Sequence, residues 1–154
     1  MVCRWISIPR WRLLPVEIVR ADDVTTERFF AEHQRALLKE LYGFSVIWHE
    51  QTHDFAAVES GATLGALTIR IAASLAHVER IAVLPGHRYT GIGRALLASS
   101  EDVANYYNCH KMTLLVPAAS DAQQFFQACG YHQEAVLPQH TFKLDVAVLR
   151  KFLL

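Results

Sequence analysis

The stretch Ile81-Ala82-Val83-Leu84-Pro85-Gly86-His87-Arg88-Tyr89-Thr90-Gly91-Ile92-Gly93-Arg94-Ala95-Leu96-Leu97 organises the reading of the whole chain. Its first residues close an apolar, partly alternating run from His77 to Val83 that predicts a strand, and Pro85-Gly86 stops it. Gly91 to Tyr107 then predicts a helix, with Ala95, Leu96, Ala98, Val103 and Tyr106 toward the core. A glycine-bearing turn between strand and helix points several N–H groups one way, beside the roughly half positive charge of a helix N-terminus. Arg88 adds a fixed cation, and Gly91 and Gly93 leave room for an anion against the backbone. Such a segment suits a phosphate. It is not a dinucleotide loop, because Leu96 stands where the third glycine belongs, nor a Walker loop, because no Gly-Lys-Ser/Thr follows.

Outward from this segment the chain alternates helices and strands. Val16 to Arg20 predicts a short strand, and Asp22 or Asp23 caps a helix from about Thr25 to Gly43 with an apolar stripe of Phe29, Phe30, Leu37, Leu38 and Leu41. Asp54 to Glu59 and Thr63 to Ala72 flank the turn signal Ser60-Gly61-Ala62 and predict a hairpin. Met112 to Val116 predicts a buried strand. Ser120 or Asp121 caps a helix to about Cys129, with Gly130 as its left-handed terminator. His140 to Leu144 predicts a closing strand and Val146 to Leu154 a terminal helix.

The bulk numbers narrow the class. At 154 residues and 52% hydrophobic content the chain suits one domain over 16–154, with residues 1–15 as a loose arm. Fifteen basic and fifteen acidic residues leave no global field for nucleic acid or an anionic membrane. Three cysteines without Cys-x-x-Cys spacing point to neither disulfides nor a zinc ribbon, so a reducing, cytoplasmic setting is expected. Arg4, Pro9, Arg10 and Arg12 break up any signal-peptide core, and no apolar run reaches the roughly 18 residues of a membrane span.

Residues Ile81 to Leu97 resemble motif A of the GNAT N-acetyltransferase superfamily, whose signature is Gln/Arg-x-x-Gly-x-Gly/Ala, here Arg88-Tyr89-Thr90-Gly91-Ile92-Gly93. Ala122 to Tyr131 resembles the family's later helix, which ends in an aromatic and then Gly-Phe or Gly-Tyr. The resemblance implies an α+β (mixed α/β) fold, with a mostly antiparallel mixed sheet splayed between its fourth and fifth strands and helices on both faces. It implies an enzyme that takes acetyl-CoA as cosubstrate and a small-molecule or peptide amine as acceptor, in a superfamily that often dimerises. The cofactor-binding residues carried over are Ile81, Ala82 and Val83 for the pantetheine, Arg88, Tyr89, Thr90, Gly91, Ile92, Gly93 and Arg94 for the pyrophosphate, and Phe125 and Phe126 as packing. An N–H near Val83 would polarise the thioester carbonyl.

An amine with a reference pKa of about 10 must lose a proton before it attacks. On a regular strand His77, Glu79, Ile81 and Val83 share one side, so Glu79 is the favoured base, as a partly buried carboxylate tuned upward, with His77 next. Many family members protonate the leaving thiolate with a tyrosine where this chain has Phe126, so that role falls to solvent, Tyr131 or another residue. Two other classes compete. His49-Glu50-Gln51-Thr52-His53 spells His-Glu-x-x-His, which on a helix would build a zinc hydrolase, although no metzincin continuation follows. The missing tyrosine also fits a CoA-binding or sensory module without turnover.

Overall fold

The computed structural model describes residues 16–153, so the expected arm at 1–15 lies outside the described residues. The chain divides into two compact units, the first ending at Val46 and the second beginning at Ile47. In the first unit a single helix, α1 (Asp23–Tyr42), begins where Asp22 accepts from the Thr25 N–H at 2.8 Å and ends at Gly43, whose φ of 76° and N–H to Lys39 close the last turn. Val16 to Arg20 forms no strand. Its apolar residues are too few to specify one, and it joins no sheet in which backbone pairing could hold it.

The second unit is a six-stranded sheet in the order β1-β2-β3-β4-β6-β5, with β1 Glu50–Glu59, β2 Ala62–Ala72, β3 Leu75–Val83, β4 Lys111–Pro117, β5 His132–Thr141 and β6 Leu144–Phe152. Helices α2 (Ile92–Tyr106) and α3 (Asp121–Ala128) cover it from the side of one continuous core, which includes Leu67, Ile69, Leu97, Met112, Leu114, Phe126 and Leu149. Every neighbouring strand pair is antiparallel except β3 and β4. Three hairpins turn on two residues of positive φ, at Ser60-Gly61, Ala73-Ser74 and Phe142-Lys143, the turn geometry that matches strand twist.

Four expectations change. His140 to Leu144 is not one closing strand: it is the end of β5, the Phe142-Lys143 turn and the first residue of β6. Val146 to Phe152 is strand β6, not a helix: it is hydrogen-bonded to β4 on one side and β5 on the other, and buries Val146, Ala147 and Leu149. A short apolar run does not reveal its period in isolation, and two strand neighbours settled it. The face of α2 is also rotated, for Leu96, Leu97, Ser100 and Ala104 are buried while Tyr106 is 79% exposed. The splay falls between the third and fourth strands, because no strand forms at 16–20. Among the described residues no helix is long and apolar enough to cross a membrane.

Candidate active site

Strands β3 and β4 run parallel for only three rungs, Leu75 with Lys111, Ala76 with Met112 and His77 with Thr113. Beyond His77 they part, so from Val78 to Val83 the edge of β3 that faces β4 has no strand partner. Backbone donors and acceptors on such an edge are open to an extended ligand. Ile81, Ala82 and Val83, the expected pantetheine contacts, lie on this free stretch.

The chain leaves β3 through Leu84, whose N–H still reaches the Leu64 carbonyl at 2.9 Å, and makes one 3-10 turn at Pro85–His87. Thr90 Oγ1 donates to the His87 carbonyl at 2.6 Å and Arg88 Nε to the Val83 carbonyl at 3.2 Å, which folds the loop onto the end of the strand. Tyr89, at a φ of 63°, and Gly91, at 94°, turn the backbone into α2. Between Tyr89 and Arg94 no N–H meets an acceptor among the described residues, and the first helical bond runs from Ala95 to Gly91. A row of free donors at a helix N-terminus has the form of an anion site.

The two motif glycines act differently. A Cβ on Gly91 would enter open space, so this residue is needed for its positive φ and leaves the approach clear. A Cβ on Gly93 would lie 3.1 Å from the Phe125 ring, so that space is already filled by α3. Phe125 therefore touches the loop, whereas Phe126 is 3% exposed and packs edge-on between Phe125 and Tyr131. A third glycine escaped the sequence reading. Gly65 of β2 would bring a Cβ to 3.0 Å from the Ala82 carbonyl and 3.2 Å from Ile92, so it lets the first turn of α2 sit down on β2 and β3. The available signal was a lone glycine inside a strand pattern.

A β-bulge overturns the expected side-sharing on β3. Thr68 pairs with Arg80 and Ile69 with Val78, which leaves Glu79 as an extra residue and reverses the alternation. Ala76 and Val78 face the core before the bulge, and Ile81 and Val83 pack against it afterwards. His77 and Arg80 thereby share the opposite face with Thr68, Arg70, Asp54 and Thr52. The adjacent charges Glu79-Arg80 were the only break in the apolar pattern that signalled this.

On that face Glu79 Oε1 accepts from Arg70 Nε at 2.7 Å, and Arg70 also lies 3.7 Å from Glu50. The hydrogen bond from Arg70 holds the Glu79 carboxyl below its ordinary range, opposite to the upward tuning expected of it. His77 is half-buried, with Nδ1 3.0 Å from Thr113 Oγ1 at the last rung before the strands part. Desolvation pushes its pKa below the ordinary histidine value; the Glu79 charge opposes this and Arg70 reinforces it. Tyr131, the alternative acid, is 1% exposed, and its hydroxyl donates to Glu101 at 3.0 Å. Burial pushes its pKa far upward, and its hydroxyl is committed to Glu101 inside the core. The His-Glu-x-x-His segment is extended: β1 begins at Glu50, and four residues of strand put His49 and His53 about 13 Å apart at the backbone. His53 instead packs on Tyr107 at 5.0 Å, and among the described residues no three metal-ligating side chains gather.

This arrangement has clear counterparts. The acetyltransferase (GNAT) domain model matches residues 20–140, and the chain belongs to that family, the acyl-CoA-dependent N-acetyltransferases. Among solved structures, an acetyltransferase from Bacillus cereus superposes with a TM-score of 0.72 at 17% identity, over 89% of this chain and 97% of that one. The ribosomal-protein-S18-alanine N-acetyltransferase from Escherichia coli gives 0.59 at 16% identity, over 86% and 90% of the two chains. The IAA acetyltransferase from Bacillus cereus gives 0.60 at 16% identity, over 84% and 86%. At these identities the likeness is one of fold. No curated protein sequence matches the chain.

Proposed function

We propose that the protein transfers an acetyl group from acetyl-CoA to a primary amine by direct attack. The observation that carries this reading is the run of free N–H groups from Tyr89 to Arg94, next to a strand edge opened by the parting of β3 and β4. The pyrophosphate meets those donors with Arg88 and Arg94 beside them, and the pantetheine follows the backbone of Ile81 to Val83. Phe125 closes the far side of the loop.

His77 is the proton acceptor in this scheme and Glu79 orients Arg70. A histidine depressed by desolvation is neutral at pH 7, and when Nδ1–H donates to Thr113 the lone pair on Nε2 is left to receive a proton, directly or through water. The amine nitrogen then attacks the thioester carbonyl carbon, the carbon–sulfur bond breaks, and the thiolate takes its proton from solvent. With a reference thiol pKa near 8.5 that leaving group needs no dedicated acid.

A second reading, a CoA-binding module without turnover, is favoured by the burial of both Phe126 and Tyr131, which leaves α3 and the residue after its terminator without a donor at the fork. A thermal shift with acetyl-CoA followed by free-thiol release over a panel of amines separates the two. Amine-dependent release establishes the enzyme, and a shift with no amine-dependent release establishes the module.

A further inference from the structure

The polar face of β1, β2 and β3 carries a second feature that acetyl transfer alone does not require. Ala56, Ala66 and Ala82 lie in register across the three strands, and the next row on the same face is Asp54, Thr68 and Arg80. Three methyl groups beside three longer polar side chains leave a depression of about 400 Å³. The bulge at Glu79 is what turns Arg80 into it.

The two arginines of this face are in different states. Arg70 is neutralised by Glu79 and Glu50. Arg80 takes part in none of the ion pairs among the described residues. Its Nε donates to Thr68 Oγ1 at 3.1 Å, and Thr68 Oγ1 donates onward to Asp54 Oδ1 at 2.6 Å, which fixes the plane of the guanidinium while both Nη groups remain without a protein acceptor. A guanidinium immobilised at Nε and free at Nη is prepared for a two-pronged bond to a carboxylate. Across the bulge Arg80 and His77 oppose Thr68 and Arg70, two residues apart on β2, so they stand about 7 Å apart along the strand, a span that a carboxylate–carbon–amine unit fills with a hydrogen bond at each end.

We propose that Arg80 anchors the acceptor by a carboxylate, so that the amine acetylated belongs to an amino acid or a short peptide bearing a nearby acid group. A polyamine has no carboxylate for the free Nη groups of Arg80, and the one carboxylate in the depression, Asp54, already accepts from Thr68. The inference rests on the acetyltransferase reading above and on the placement of His77.

The test uses the full chain and thiol release on matched acceptors: a series of amino acids, the corresponding amides, the decarboxylated amines, and spermidine. The acids are expected to exceed their amides in kcat/KM by about 10-fold or more, the scale of a charge-assisted bidentate contact. Arg80→Gln brings that ratio close to one with an unchanged KM for acetyl-CoA, and Arg80→Lys keeps part of it. Equal turnover of acids and amides, a preference for spermidine, or an undiminished ratio in Arg80→Gln overturns the carboxylate anchor and leaves acetyl transfer standing. Thiol release with none of these amines overturns both.

Discussion

The loop after β3 and the polar face of β1 to β3 lie a few residues apart and obtain their chemistry by opposite means. The loop works through its backbone: six N–H groups from Tyr89 to Arg94 are left free by the turn and the helix start, and the side chains mainly set φ or fill space. The face works through side chains, each placed by strand register and paired or left unpaired by its neighbours across the sheet. A backbone site depends on glycine positions and tolerates most other changes. A side-chain site depends on individual residues and on the bulge that aims them.

Disturbing the loop at Gly91 should have the greatest consequence. Gly91→Glu forces a side chain to adopt a φ of 94° and places a negative charge over the free donors. Acetyl-CoA affinity by calorimetry is expected to fall by about 100-fold or more, at roughly 1.4 kcal/mol per tenfold, in a folded protein. Unchanged affinity would remove the anion site from this loop.

On the face, the expected loss lies in turnover rather than cofactor binding. His77→Ala should lower kcat by about 100-fold, the lower end for a general base, while the KM for acetyl-CoA stays within roughly 2-fold. Glu79→Gln should cost only a few-fold, because its carboxylate is already held by Arg70. The opposite ranking of the two variants would return the base to Glu79.

The pH profile gives a smaller and independent check. Desolvation lowers the His77 pKa in the folded chain, so the free base is present above that value, and kcat/KM should rise with pH on a limb lying below 6.5. For stability the sign follows from proton uptake. The unfolded chain protonates this histidine at higher pH than the folded one does, so its contribution is complete above about 6.5 and declines as pH falls through the ordinary histidine pKa. A kinetic limb above 6.5 that persists in His77→Ala would assign the proton to another group.

The smallest effect separates positioning from chemistry. Gly65→Ala introduces contacts at 3.0 to 3.2 Å with the Ala82 carbonyl, Ile92 and Val83. Overpacking of about 1–2 kcal/mol lowers the melting temperature by roughly 2–8 °C. Acetyl-CoA affinity should weaken with it, since the first turn of α2 is displaced. A melting change with no change in affinity would show that the loop does not rely on this contact.

Motif spacing, capping and turn chemistry are local, and what depends on them could be read from the residues alone: α1 between Asp22 and Gly43, the strand-loop-helix around Arg88 to Gly93, the Ser120 cap and the Ser60-Gly61 turn. Each is settled by a few neighbouring residues whose φ or hydrogen bonds have one good solution. The assembled fold alone made Val146 to Phe152 a strand, because two strand neighbours had to be present to claim it. It also decided that Glu79 bulges, that Phe125 fills the space at Gly93, and that Arg70 is paired while Arg80 is not. Those outcomes join residues far apart in the chain, and a one-residue change of register reverses every side chain beyond it.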